Sequence, residues 1–300
     1  MTQVFHFIAG PRDFNKRLDS FLFERLGQLS KIHITNLVEK GACAVNQRAV
    51  QAGLHLKEGD EVVFTIESVP HNAMTPEEIP LRIIHEDEAI IVVVKPSGML
   101  VHPTLSVKSG TLLNALAFHF NQNSTRNDFG STFIRPGLVH RLDRETSGLM
   151  VITKTQEALS RLTRHFQRKV VEKRYLALVQ GCLDQDEIKI TAPIGRDESQ
   201  TPKWRTMENG KTSETNLRVV ERYKGKTLVE LEPITGRTNQ LRIHCAFIGH
   251  PIIGDKLRAG LTHVRLCLHA SDLAFFHPVT NEWLTFYSPL PDEIEILLKQ

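Results

Sequence analysis

The sequence predicts an α+β protein: a mixed, largely antiparallel central sheet with flanking helices and loops, plus a small α/β module at the N-terminus. Three observations predict it. Many short β-branched or alternating runs are separated by turn residues, and only a few stretches have helical spacing. Strands and helices do not alternate regularly, as they would in a doubly wound fold. A polar tract holding Pro70, Pro76 and Pro80 interrupts the apolar pattern, so the expected organisation is a module at 1–69, a linker at 70–80 and a large domain at 81–300.

Residues 4–8 alternate and stop at Gly10-Pro11, which suggests a short strand or arm. Leu18, Phe21, Leu22 and Leu26 then recur at helical spacing. Ile32, Ile34, Leu37 and Val38 fit a second helix, with Ser30 as its N-cap and Gly41 as its stop. Residues 42–45 and 61–66 read as strands, with turns at Asn46-Gln47 and Lys57-Glu58-Gly59-Asp60. A unit this small has a marginal core when alone. In the large domain, 89–94 is an apolar β-branched run feeding a turn at Lys95-Pro96-Ser97-Gly98. Residues 111–120 form a helix with Leu112, Leu116 and Phe120 on one face, 121–133 is a polar loop, 149–153 is a buried strand and 156–166 is a helix. Further strands are expected at 175–179, 189–192, 215–223, 227–233 and 283–287.

The composition, 41% hydrophobic and 24% charged, suits a folded globular chain and excludes a disordered one. No run of eighteen apolar residues exists, and Arg12, Asp13, Lys16, Arg17 and Asp19 occupy the place of a secretory signal core, so a cytoplasmic location without membrane association is expected. The four cysteines form no C-x-x-C pair, and the fourteen histidines form no H-x-x-x-H or H-E-x-x-H pair, so neither a disulfide frame nor a metal is signalled. No P-loop or dinucleotide fingerprint is present, and no cofactor is expected. The net charge is +3, but residues 135–175 hold ten Lys or Arg against four Asp or Glu, whereas the first 75 residues hold eight of each. Such a concentration is either a solvated helix surface or a wall that faces phosphate.

Six segments carry more specific information. They are His140-Arg141-Leu142-Asp143-Arg144-Glu145-Thr146-Ser147-Gly148; Val94-Lys95-Pro96-Ser97-Gly98-Met99-Leu100-Val101-His102-Pro103; Glu172-Lys173-Arg174-Tyr175-Leu176-Ala177-Leu178-Val179; Thr235-Gly236-Arg237-Thr238-Asn239-Gln240-Leu241-Arg242-Ile243-His244; Gly249-His250-Pro251-Ile252-Ile253-Gly254-Asp255; and Arg265-Leu266-Cys267-Leu268-His269-Ala270. Together, and in this order, they resemble the RNA pseudouridine synthases that isomerise uridines in ribosomal and transfer RNA. Arg17-Leu18-Asp19, Leu29-Ser30-Lys31, Gly41, Val45-Asn46 and Gly59-Asp60 are similar to an RNA-binding module first recognised in a small-subunit ribosomal protein, with Lys31 where arginine is usual. Lysine keeps the charge but not the planar fork. Two departures stand out in the large domain: Asn239 replaces a common histidine, and the tract after Gly254-Asp255 lacks the usual tyrosine.

The reaction cuts the bond between C1′ and N1, turns the uracil and joins C1′ to C5, without redox chemistry. The resemblance implies that Asp143 is the catalytic aspartate, adding to C1′, acting through a glycal or adding to C6 of the ring. From spacing alone, Asp143 equally suits a turn cap or a pairing with arginine. The resemblance also places Arg237 near Asp143, to keep the carboxylate ionised and aimed. It makes Tyr175 a stacking face for uracil, with a hydroxyl near C5. Leu241 is expected to pack under the base and Arg242 to face phosphate. Lys95, Arg141, Arg144, Arg161, Arg164, Arg168, Lys169 and Lys173 are candidates for the rest of the RNA groove, and Arg17, Lys31, Lys40 and Arg48 for the N-terminal module.

The implied partner is structured RNA, foremost large-subunit ribosomal RNA, with transfer RNA as the alternative and no obligate protein partner. Two other readings exist: a non-catalytic RNA-binding or ribosome-assembly factor, and an RNA hydrolase that uses Asp143 with His140.

Overall fold

The computed structural model describes residues 2–26, 29–66, 75–104, 106–122, 134–201 and 203–299. Residues 70–74 of the expected linker and 123–133 of the expected polar loop lie outside the described residues. The contacts divide the chain into two units, one formed by Met1–Pro80 with His102–Pro136 and the other by Leu81–Val101 with Gly137–Gln300.

In the first unit, β1 (Gln3–Ile8), β4 (Glu61–Ile66), β2 (Cys43–Val45) and β3 (Arg48–Ala49) pair antiparallel in that order. Helices α1 (Leu18–Arg25) and α2 (Lys31–Glu39) share a core with them through Leu18, Phe21, Leu22, Ile34, Val38 and Phe64. Ser30 caps α2 by accepting from the backbone N–H of His33 at 3.2 Å. Asn46 and Gln47 both have positive φ, which gives the tight turn between β2 and β3. Helix α3 (Leu112–Phe120) begins at Thr111, whose hydroxyl accepts from the N–H of Asn114.

The second unit is built on a ten-stranded sheet. Its main path runs β10 (Glu187–Thr191), β13 (Glu214–Tyr223), β14 (Lys226–Pro233), β9 (Glu172–Gln180), β15 (Leu268–Phe276), β8 (Ser147–Thr153), β6 (Ile90–Lys95) and β5 (Arg82–Glu86). Strand β7 (Gly137–Leu138) pairs with β8, and β16 (Trp283–Tyr287) with β15; β11 (Ile194–Arg196) and β12 (Trp204–Thr206) form a separate ribbon. Among the described strands the pairing of β8 with β15 is parallel and the others are antiparallel, so the sheet is mixed and mostly antiparallel, as expected.

Two apolar clusters anchor the helices. Ala158 and Leu162 of α4 (Gln156–Gln167) meet β6, β8 and β15 through Ile90, Val151 and Phe275. Leu241 and Cys245 of α5 (Gln240–Phe247), with Ile294 of α6 (Asp292–Leu298), meet β9 and β14 through Leu178, Val179 and Leu231.

The parallel seam is where one glycine is required. Gly148 has φ +120°, and a Cβ there would stand 2.3 Å from the carbonyl oxygen of Ala270. Only glycine admits both the conformation and the contact.

Candidate active site

A cavity of about 580 Å³ opens in the second unit, and five segments supply most of its walls. They are the loop 139–143 ahead of β8, the end of α4 at Phe166, β9 at Lys173 and Tyr175, the loop 234–238 after β14, and the first turn of α5 at Gln240, Leu241 and Arg242.

The Asp143 loop is fixed from both ends. The ammonium of Lys95 is fully buried and donates to the carbonyls of Pro96 and Met99 at 2.8 Å and of Arg144 at 3.1 Å. Ser97 donates to the Glu145 carbonyl at 2.6 Å, and Arg144 Nε donates to the Gly98 carbonyl at 2.9 Å. Lys95, expected in the groove, is therefore a clamp between two loops. Burial pulls its pKa down to about 8, against the charges of Glu145 and Asp143. After the loop, the Ser147 hydroxyl meets His269 Nδ1 at 2.7 Å and accepts from Arg265, and His269 Nε2 meets Ser288 Oγ at 3.1 Å. Burial lowers the His269 pKa to about 4, so this histidine is a neutral spacer.

Burial raises the pKa of the Asp143 carboxyl, and the positive charges of Arg242, Arg141 and Arg258 oppose that shift. The guanidinium that acts most on Asp143 is thus that of Arg242. Arg237, expected in this role, lines the cavity, but its Nε donates to the Thr212 carbonyl at 3.3 Å. Nor does Arg242 face solvent, as a phosphate contact would require. It is 5% exposed and grips both oxygens of buried Asp255, from Nε at 2.8 Å and from a terminal nitrogen at 2.7 Å. Its other terminal nitrogen donates to Asn239 Oδ1 at 3.3 Å and lies 3.5 Å from Glu145. Arg258 adds a second guanidinium 3.5 Å from Asp255 and donates to the Trp204 carbonyl at 3.2 Å. It comes from the tract that lacks the usual tyrosine.

Asn239 starts α5 with φ +55°, a conformation that asparagine tolerates better than most residues. The side chain of Gln240, a motif residue with no expected role, sets the loop beside it. Its carbonyl oxygen accepts from the Thr235 hydroxyl at 2.7 Å and the Arg237 N–H at 3.0 Å, while its amide donates to the Glu214 carbonyl at 2.8 Å and to Thr215 Oγ1 at 2.9 Å.

Burial and the Asp143 charge raise the pKa of Tyr175, so its phenol stays protonated. Leu241, 7% exposed, gives the cavity an apolar surface. His140 does not present itself as a partner for Asp143. It stacks on Phe166 at 4.8 Å, and its Nε2 accepts from the Val151 N–H at 3.1 Å. Burial, with the nearby Lys173 charge, lowers its pKa to about 3, which removes the basis for an Asp143–His140 hydrolase.

Arg141 is exposed on the cavity lining; Arg144 is exposed but turned to Gly98, and Arg164 is exposed with its Nε on the Ser160 carbonyl of its own helix at 3.3 Å. In the first unit, Arg17 and Lys31 share one carboxylate: Arg17 lies 2.9 Å and Lys31 3.6 Å from Asp19. Lys40 and Arg48 are exposed there.

Residues 89–247 match the RNA pseudouridylate synthase family. The chain is similar to the RNA pseudouridine synthase YlyB of Bacillus subtilis (strain 168), with 36% identity over 294 residues that cover 97% of this chain and 96% of that one. It is also similar to ribosomal large subunit pseudouridine synthase D of Nitrosomonas europaea, with 36% identity over 94% of this chain and 83% of that one. Among solved structures, human RNA pseudouridylate synthase domain containing 1 superposes with a TM-score of 0.58 and 26% identity, covering 75% of this chain and 87% of that one. The chain belongs to the RNA pseudouridylate synthase family.

Proposed function

We propose that this enzyme isomerises particular uridines of large-subunit ribosomal RNA, in the cytoplasm, with Asp143 as the group that acts on the nucleoside. The convergence of Asp143, Tyr175 and Leu241 on one cavity, with the Arg242 charge bearing on Asp143, carries the reading. The large-subunit target follows from relatives named for it, such as the Nitrosomonas europaea enzyme and one from Haemophilus influenzae that is 31% identical over 96% of this chain.

A uridine swung out of its stack enters the cavity, at an opening cost of a few kcal/mol that is least for unpaired loop nucleotides. The base lies on Tyr175 and against Leu241. Asp143, whose charged form burial disfavours and the charges of Arg242 and Arg141 favour, acts on the sugar or the ring. Tyr175 as a neutral phenol serves as a floor rather than a free base. Exposed Arg141 suits phosphate at the cavity mouth, and Arg17, Lys31, Lys40 and Arg48 give the first unit a modest basic surface for flanking RNA.

The test is release of tritium from RNA labelled at uracil C5, together with a map of pseudouridines in total RNA from cells with and without the protein. The expected result is release matched by pseudouridine in large-subunit RNA, with the chain uncut. Pseudouridine lost only from transfer RNA would overturn the target, and binding without release would overturn the catalytic reading.

A further inference from the structure

Lys173 precedes Tyr175 by two positions on β9, so both side chains leave the same face of the strand. Both line the cavity. The Lys173 ammonium stands 5.8 Å from the centroid of the Phe166 ring, which carries neutral His140 stacked against it. Among the described residues no carboxylate, carbonyl or hydroxyl is bonded to that ammonium, and burial alone lowers its pKa. The other buried cations of the site are matched: Lys95 by three carbonyls, Arg242 by Asp255.

A half-buried ammonium without a protein counter-charge is costly to maintain. In a cavity that receives substrate, it is suited to negative charge that the substrate brings. The RNA offers two kinds. Phosphate carries its charge throughout, and the exposed Arg141, Arg168 and Lys169 are open to it. The uracil ring gains charge only during reaction. When the bond from C1′ to N1 breaks, its electron pair stays on the ring, spread over N1, O2 and O4. If Asp143 adds to C6 instead, the pair is pushed toward O4. In either case the charge appears on the ring that rests on Tyr175, beside Lys173.

We propose that Lys173 is a catalytic residue that stabilises this developing charge through a hydrogen bond to an exocyclic oxygen of the uracil. The ammonium keeps its protons throughout. The ring's electron pair forms the bond from C5 to C1′, the C5 proton departs and N1 takes up one proton. The assignment rests on the proposed seating of uracil over Tyr175. A donor aimed at charge that exists mainly in the transition state lowers the barrier more than it tightens binding.

The experiment measures kcat, KM and the salt dependence of RNA affinity for full-length wild type, Lys173→Met and Lys173→Arg. Lys173→Met is expected to lower kcat about 10²-fold, as loss of one such donor does. KM and the salt slope should stay near wild type, and Lys173→Arg should recover at least tenfold of the lost kcat. Unchanged kcat in Lys173→Met would overturn the proposal. So would a raised KM with a salt slope flatter by about 0.7–0.9, the mark of a lost phosphate contact.

Thermal melts accompany each variant. Because methionine could disturb packing on Phe166, the wild-type enzyme is also assayed with 2-thiouridine or 4-thiouridine at the target, sulfur being the weaker acceptor. Slower turnover with at least one of them is expected, and equal turnover with both would overturn the assignment. A wild-type protein that releases no tritium from any RNA would bring down the proposed function itself, a result recognisable before any variant is made.

Discussion

Asp255→Asn offers the most direct measure of what holds the site together. Arg242 donates to both oxygens of Asp255 at 2.8 and 2.7 Å, and their side chains are 6% and 0% exposed. Removing one partner of such a pair costs roughly 3–5 kcal/mol, because the other charge is left buried. At roughly 2–4 °C per kcal/mol for a unit of this size, that is a fall in Tm of about 6–20 °C. The two halves of the pair should not cost the same. Arg242→Met leaves Asp255 with Arg258 at 3.5 Å, whereas Asp255→Asn leaves two guanidinium groups with no carboxylate between them. The aspartate variant should therefore melt lower.

The pH dependence follows from the sign of the Asp255 shift. Burial works against ionisation, but the bonds and charge of Arg242 and the charge of Arg258 prevail and lower the pKa. The stabilisation is then complete above the unfolded aspartate pKa of about 3.9 and is lost as the pH falls through the folded value. In activity, Arg242→Met also removes the charge that most opposes protonation of Asp143, so the acid limb of the rate profile should move to higher pH. Thermal melts of both singles and the double variant, with pH–rate profiles for Arg242→Met, supply the measurements. Additive losses in the double variant, or an Asp255→Asn melt within a degree of wild type, would refute the reasoning.

Asp143→Asn should lower kcat by roughly 10³-fold or more in the tritium assay. Because burial raises the Asp143 pKa, the charged form costs stability above that pKa and the cost fades as the pH falls, so the variant should melt no lower than wild type at neutral pH. Lys95→Met orphans three carbonyls at about 1–3 kcal/mol each and should lower both Tm and kcat. Its salt slope for RNA binding should match wild type, and a slope flatter by about 0.9 would place Lys95 on phosphate after all. Gly148→Ala puts a methyl group 2.3 Å from the Ala270 carbonyl at φ +120°, and the yield of soluble protein should collapse; a melt within about 1 kcal/mol of wild type would show that the seam yields. Tyr175→Phe keeps the ring and should retain far more activity than Tyr175→Leu, with equal loss in the two pointing instead to the hydroxyl.

Much of this site was legible where residue type forces geometry. Glycine at 148 and the charged loop before a buried strand marked the Asp143 segment, and the apolar runs at 89–94 and 149–153 marked the middle of the sheet. The motif at 265–270 enters the strand Leu268–Phe276, which the sequence hides because His269, Ser271 and Asp272 break the apolar pattern. Helix α5 is hidden for a related reason: polar Gln240, Arg242 and His244 are buried on it beside Leu241, Ile243 and Cys245, each satisfied by a partner distant in sequence. The arginines at 237 and 242 stand in one motif, and nothing local says which one bears on Asp143. That choice depends on Asp255, thirteen residues beyond Arg242, occupying the interior. Lys95 reads as solvent-facing from its place at a turn, because the carbonyls that surround it come from two loops that the sequence does not bring together.

The join between Gly148 and Ala270 has a consequence for biosynthesis. A nascent chain displays the Asp143 segment long before the strand that must lie beside it has left the ribosome, since their register sets His269 against Ser147 and Ala270 against Gly148. Contacts so far apart in sequence form late. Competence to alter RNA therefore waits on the strand that carries Ala270, more than a hundred residues after the carboxylate it helps to seat.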